Sequence, residues 1–117
     1  EEAGCIFFER FRRENDKPIL VEETFITNIS LPRFTSRNLD NQSLFGILEE
    51  AYGIKITGGE QKLWAINADR RLAGLLGTKK GSPLLHLKRK IETNKPFVRI
   101  YSAIYGNTDD YFLQGNF

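Results

Sequence analysis

Hydrophobic and polar residues alternate along the first quarter of the chain with the two-residue period of a β-strand. The alternation predicts strands over residues 5–13 and 19–26, joined by a polar turn over residues 14–18. Two such runs around a turn indicate a hairpin. Residues 28–41 contain Pro32 and many small polar side chains, which is typical of an irregular connection.

The middle of the chain changes to a helical period. Leu44, Ile47, Leu48 and Ala51 predict a helix over residues 43–52, which Asp40 or Asn41 could cap and Gly53 would end. A strand over residues 60–67 and a second helix over residues 68–76, closed by Gly77, follow.

The last third returns to the strand pattern. Strands are predicted over residues 83–91 and 97–105 around a turn at 92–96, and a short final strand would include Tyr111, Phe112 and Leu113. The predicted order is β-β-α-β-α-β-β-β. Because hairpins dominate it, the fold class is α+β, an antiparallel sheet with helices packed against it.

Composition indicates an ordinary globular domain. The 117 residues are 40% hydrophobic and 27% charged, so residues 1–117 fit a single domain with a sizeable core. No apolar run approaches the roughly 20 residues of a membrane helix, and a cytoplasmic location is expected. The opening residues 1–4 look like the interior of a longer protein, so we expect a segment on their N-terminal side.

Charge and cysteine content exclude several classes of function. The 17 basic and 15 acidic residues are interleaved, so any DNA contact should lie outside this segment. The single Cys5, beside Ile6 and Phe7, is predicted to be a buried apolar residue, and it leaves no disulfide and no multi-cysteine metal site. His86 is the only histidine and is interpreted as structural, so no cofactor, no metal and no catalytic pair is expected.

Arg10 and Arg12 are the first candidates for ligand binding. Two residues apart on a strand, they point from the same face, and their planar donor groups suit phosphate and carboxylate. A solvated sheet face paired with nearby Glu residues would have the same spacing, and spacing alone favours that alternative.

Other residues are further candidates for ligand binding if they lie near this arginine pair. Only one of Glu22 and Glu23 can share the arginines' face, where it would either accept hydrogen bonds from a ligand or form a cross-strand salt bridge. Ser43 at a helix start could help to bind an anion or simply cap the helix. On the late strand, the face of Arg99, Tyr101 and Tyr105 could wall a pocket or be an exposed sheet face.

Several short stretches in a fixed order resemble a known family over residues 8–111. They are Arg10-Phe11-Arg12, Lys17-Pro18-Ile19, Glu22, Ser43-Leu44-Phe45, Leu48, Tyr52-Gly53-Ile54, Leu75-Leu76-Gly77, Gly81-Ser82-Pro83-Leu84-Leu85, Arg89, Lys95-Pro96 and Asp110-Tyr111. The chain resembles the UTRA effector-binding domain of GntR-type bacterial transcription regulators, in the HutC subfamily.

This resemblance implies a chorismate-lyase-like fold, a homodimer and an N-terminal winged helix-turn-helix domain that binds operator DNA. It also implies that the family's opening strand region is short or absent here. The implied ligands are small anionic metabolites, namely sugar phosphates, amino-sugar phosphates and organic acids.

The resemblance also assigns roles to single residues. Arg10 and Arg12 would grip the ligand's phosphate or carboxylate together with Ser43, and Glu22 would contact the rest of the ligand. Phe45 stands where the family often has Tyr, and Tyr105 resembles a pocket tyrosine. Arg99 then replaces an acidic residue of the sugar-phosphate sensors and would suit a more anionic ligand; a shift by one residue would place Val98 there instead.

The function expected from all this is small-molecule sensing that modulates operator binding, with no catalysis. A lyase-like enzyme of the same fold, acting on a chorismate-type acid, is the alternative from another class. A dimerisation module without a ligand is a third.

Overall fold

A computed structural model describes residues 4–29 and 43–109 as one antiparallel sheet with two helices. The elements in chain order are β1 (Gly4–Glu14), β2 (Lys17–Ile29), α1 (Leu44–Tyr52), β3 (Ile56–Asn67), α2 (Arg70–Leu76), β4 (Pro83–Thr93) and β5 (Arg99–Asn107). The strands lie in the order β1-β2-β5-β4-β3. The α+β class expected from the hairpins is confirmed. Within the described residues, no helix has the length and apolar character needed to cross a membrane.

The boundaries differ from the sequence-based prediction in a few places. β3 begins at Ile56, four residues before the predicted start, and β2 continues to Ile29 into the predicted irregular connection. α2 begins at Arg70 because Asp69 caps it. α1 is capped by Ser43 itself, whereas the caps first considered, Asp40 and Asn41, lie outside the described residues. So do the rest of the irregular connection and the predicted last strand at Tyr111, Phe112 and Leu113.

The strand register divides the sheet residues between two faces. Side chains alternate along a strand, so Phe8, Arg10 and Arg12 of β1 share one face, which we call the α1 face. There the buried side chains of α1 pack on those of the sheet. This cluster consists of Phe8, Ile26, Leu44, Leu48, Ile54, Ile91, Val98 and Ile100.

The opposite side of the sheet, which we call the α2 face, has its own core. The buried cluster there consists of Val21, Ala68, Leu72, Ala73, Leu76 and Leu84, with Phe11, Ile66 and Tyr105 packed against it. α2 covers only part of this face, and Phe7 and Phe25 beyond it are about half exposed. Cys5 follows the same alternation as Phe7 and is exposed, so the prediction of a buried cysteine is wrong.

The C-terminal end of α1 is fastened to the turn between β4 and β5. Gly53 ends the helix with φ 68°, a left-handed conformation that glycine adopts without strain. The Lys55 N–H donates to Asn94 Oδ1 at 2.8 Å, and the Asn94 N–H donates to the Lys55 carbonyl at 2.9 Å. Asn94 Nδ2 also donates to the Gly53 carbonyl at 3.3 Å. These bonds fix one end of α1, while the other end lies beside β1 and β2.

Candidate functional site

A cavity of about 590 Å³ opens on the α1 face beside the start of α1. Its walls come from β1, β2, β4, β5 and the residue that caps α1. They are Arg10, Phe11, Arg12, Arg13, Glu14, Leu20, Glu22, Ser43, Arg89 and Ile104. The structure therefore brings four of the predicted binding residues together, namely Arg10, Arg12, Glu22 and Ser43.

Arg10 and Glu22 form a mostly buried ion pair across the β1–β2 ladder. The two residues are cross-strand partners. Arg10 Nε lies 2.7 Å and Arg10 Nη2 lies 2.6 Å from Glu22 Oε1. The side chains are only 17% and 10% exposed, so water screens the attraction weakly. Register thus selects Glu22 over Glu23, whose carboxylate instead pairs with Arg71.

The second oxygen of Glu22 is also engaged. Glu22 Oε2 lies 3.1 Å from Thr24 Oγ1 and 3.2 Å from Ser102 Oγ. The two hydroxyls lie 3.1 Å from one another, and each has a single proton, which we assign to the carboxylate because it can only accept. A carboxylate has about four acceptor positions, and these four contacts occupy them. Glu22 therefore holds Arg10 in place more than it offers acceptors to a ligand.

Arg12 faces the same cavity with a different environment. Its cross-strand partner is Leu20, which cannot pair with a charge. Arg12 is exposed, and within residues 4–29 and 43–109 it has no ion pair or side-chain hydrogen bond. Its guanidinium is thus a positive charge that no described carboxylate neutralises.

Ser43 brings a helix N-terminus to the cavity. Its Oγ accepts the Gly46 N–H at 3.2 Å, which is the capping role considered from the sequence. The first turn of α1 has no acidic residue, and its leading N–H groups have no acceptor within the helix. The positive end of the helix dipole therefore adds to the charge of Arg12.

Phe45 lies beside a second, smaller cavity. This space of about 370 Å³ is bordered by Phe45, Ile56, Gly59, Glu60, Gln61, Arg89 and Ile91. Arg89 borders both cavities. Arg89 belongs to the stretches that resemble the family, but the sequence alone does not predict a binding role for it. The pattern that could have indicated such a role is the alternation of β4, which places Arg89 on the same face as Leu87 and Ile91, two buried residues.

Arg99 and Tyr105 do not belong to this cavity, which corrects the expectation that they join the arginine pair. Tyr105 pairs with Val21 in the ladder and lies on the α2 face, as Arg99 does by alternation. The Tyr105 ring stacks on the buried His86 with centroids 4.4 Å apart, and Arg99 Nη1 donates to the Pro96 carbonyl at 3.2 Å. Val98 does lie on the α1 face but is buried in the core cluster.

The environment of Tyr105 affects its ionisation. Burial raises the pKa of the Tyr105 hydroxyl above its ordinary value of 10.0, and the nearby Glu23 raises it further. The positive charge of Arg71 lowers the pKa of Tyr105, and the negative charge of Asp69 raises it by a smaller amount.

An antiparallel sheet with a helix on each face and an arginine-lined cavity at a helix N-terminus defines the class, an α+β domain. The chain belongs to the UTRA domain family, whose model matches residues 1–111. UTRA domains are the regulatory ligand-binding domains of GntR-family transcription regulators.

Solved structures have the same chorismate-lyase-like fold. The C-terminal domain of PhnF is 19% identical with a TM-score of 0.81, over 95% of this chain and 71% of that one. The C-terminal domain of the histidine utilization repressor from Pseudomonas syringae is 18% identical with a TM-score of 0.75. That match covers 100% of this chain and 99% of the other.

A third similar structure is described as the ligand-binding domain of a GntR-family regulator from Bordetella bronchiseptica. It is 23% identical with a TM-score of 0.71, and the match covers 88% of this chain and 65% of that one. At these identities the likeness of the three structures establishes the fold.

The Arg10–Glu22 pair leads to a stability prediction. Glu22→Gln removes the charge that balances Arg10 and should lower the free energy of unfolding by about 2–3 kcal/mol. Glu23→Gln is the matched control, because its partner Arg71 is half exposed, and should cost less than about 1 kcal/mol. Urea unfolding of both variants measures the difference, and equal losses would contradict the structural role given to Glu22.

The raised pKa of Tyr105 leads to a pH prediction. The folded state favours the protonated phenol, whereas the unfolded chain releases this proton near its ordinary pKa of about 10. The resulting stabilisation is complete below that pH and is lost as the pH rises through the folded-state pKa. Between pH 9 and 11 the wild type should therefore lose more stability than Tyr105→Phe in thermal unfolding. Parallel curves for the two proteins would contradict this assignment.

Proposed function

We propose that this domain senses a small anionic metabolite, a sugar phosphate or an organic acid, in the cavity at the start of α1. The observation that carries the proposal is the position of Arg12, a guanidinium without a described carboxylate partner, on the same cavity as the N-terminus of α1. Both groups favour an anion, because a guanidinium has forked charged donors and a helix N-terminus has N–H groups at the positive end of its dipole.

The proposed mechanism is linkage between ligand binding and operator binding. A ligand held by both β1 and α1 favours the arrangement in which these elements are closest, and it shifts DNA affinity only through that preference. Operator DNA would be bound by a winged helix-turn-helix domain outside this chain, in the cytoplasm. The likeness to the histidine utilization repressor supports a place in the HutC subfamily.

We assign no catalytic activity to the domain, and the lyase-like alternative is the less supported one. Membership of a family of regulatory domains favours sensing. In the described part of the chain, the only histidine is buried, with Nδ1 3.1 Å from the Ile104 carbonyl. Turnover of a chorismate-type acid by the isolated domain would overturn this view.

Removal of the Arg12 charge tests the proposed site. Arg12→Gln should weaken binding of a sugar phosphate about ten- to a hundredfold, since a hydrogen bond to a charged group is worth about 1.5–3 kcal/mol. Arg99→Gln removes the same charge from the opposite face and should leave the affinity unchanged. Thermal-shift titration with sugar phosphates, organic acids and inorganic phosphate measures both variants. The site is refuted if no anion stabilises the wild type, or if the two variants respond alike.

We also propose that the domain forms a homodimer through the part of the α2 face that α2 leaves uncovered. Phe7 and Phe25 are 50% and 47% exposed, with ring centroids 4.6 Å apart, and Tyr101 beside them is 39% exposed. Exposed aromatic groups of this kind are typical of protein interfaces.

A charge placed in this aromatic patch tests the dimer. Phe25→Lys should raise the dimer Kd at least about tenfold, because a lysine in an apolar interface loses its hydration. Phe97→Lys, in the turn before β5, is the matched control and should associate as the wild type does. Sedimentation velocity over a range of concentrations measures both. A wild type that stays monomeric, or a Phe25→Lys protein that dimerises normally, would exclude this interface.

A further inference from the structure

We propose that the ligand of this cavity has two separate anionic groups, one bound by Arg12 and the start of α1 and the other bound by Arg89. The inference rests on the proposed sensing function and specifies the class of ligand. The observation behind it is the distribution of neutralised and unneutralised arginines around a single cavity.

Among the arginines of the described residues, Glu22 forms an ion pair with Arg10. Arg10 Nε and Nη2 both lie beside Glu22 Oε1, so this pair contributes little net charge to the cavity. Arg12 and Arg89 have no ion pair with any residue of the described ranges. A single anion at Arg12 would leave the charge of Arg89 unbalanced.

The neighbours of Arg89 orient it without neutralising it. Arg89 Nε donates to Gln61 Oε1 at 3.3 Å, and Gln61 is its partner on β3. An amide fixes the direction of the guanidinium but provides no negative charge, and the two Nη groups remain available as donors. The acidic residue next to Gln61 on β3 is Glu60. Its side chain lies on the other face of the sheet, where Glu60 Oε1 is 3.9 Å from Lys90 Nζ.

The register indicates how far apart the two anions must be. Arg89 pairs with Ser102, Ser102 with Thr24, and Thr24 with Phe8, so β4 and β1 are three strand spacings apart, about 14 Å. Arg12 lies four residues beyond Phe8, about 13 Å along the strand. The hydrogen bond to Gln61 on β3 directs the Arg89 side chain away from β1, so the two guanidiniums lie on opposite sides of the cavity. The two anions therefore belong at opposite ends of the ligand.

The floor between the two arginines suits an uncharged middle part of that ligand. Its side chains are Ile104 and the neutralised Glu22, whose second oxygen accepts from the buried Thr24 and Ser102 hydroxyls beneath it. None of them adds an unbalanced charge. A polyhydroxylated chain with a phosphate at one end and a carboxylate or second phosphate at the other end fits this pattern.

Two probes that differ only at one end test the proposal. Sorbitol 6-phosphate and 6-phosphogluconate are both open six-carbon chains with a phosphate, and only the second has a carboxylate at carbon 1. In calorimetric titration of the 117-residue chain, 6-phosphogluconate should bind at least about tenfold more tightly, the value of one added charged hydrogen bond. Arg89→Gln should abolish that advantage and leave the affinity for sorbitol 6-phosphate within about twofold of the wild type.

Two further variants control for general effects of charge and folding. Lys88→Gln removes a charge from the adjacent position of β4, which faces the opposite side of the sheet, and should keep the preference for 6-phosphogluconate. Arg89→Lys keeps the charge without the forked donors and should retain part of the preference. Thermal unfolding without ligand establishes that each variant is folded.

The outcomes separate this inference from the proposed function. If the wild type binds inorganic phosphate and sorbitol 6-phosphate but shows no preference for 6-phosphogluconate, the second anion site is refuted and the sensing function stands. Equal weakening of both probes by Arg89→Gln would also refute it, because Arg89 would then act on the first anion. If no anion binds the wild type, the proposed function itself fails and this inference with it.

Discussion

The ion pair between Arg10 and Glu22 is the constraint on which the cavity depends. It lies across the β1–β2 ladder, and the Ser102 hydroxyl extends the network to β5, so three neighbouring strands are tied together on the α1 face. A carboxylate this well buried must find partners for both oxygens, since an unpaired one would cost several kcal/mol. By satisfying Glu22 completely, the network determines which arginine is neutralised and which remain available to a ligand.

Local patterns were sufficient to predict the elements and the first part of the site. Alternation predicted the early hairpin and the shared face of Arg10 and Arg12, and helical spacing with Gly53 predicted α1. Family resemblance selected Glu22 over Glu23, and the register agrees. Each of these properties depends on residues close together in sequence, for which strand and helix periods are sufficient information.

Properties that depend on neighbours across the sheet could not be predicted in this way. Alternation along the late strand predicts that Arg99 and Tyr105 share a face, but it does not predict which face of the sheet that is. The pairing of Tyr105 with Val21 places both residues on the α2 face. Arg89 reaches the cavity only because β4 lies beside β5, which no local period specifies. Cys5 has apolar neighbours in sequence, yet it is exposed because α2 covers only the other part of its face.

The bonds between Lys55, Asn94 and Gly53 attach the C-terminal end of α1 to the turn between β4 and β5. Leu44 and Leu48 are buried in the core of the sheet, so the first turn of the helix is held as well. The N–H groups of this turn therefore keep a fixed direction beside the cavity. Donors that are already in place lose little conformational entropy when an anion binds, which is the advantage of a preorganised site.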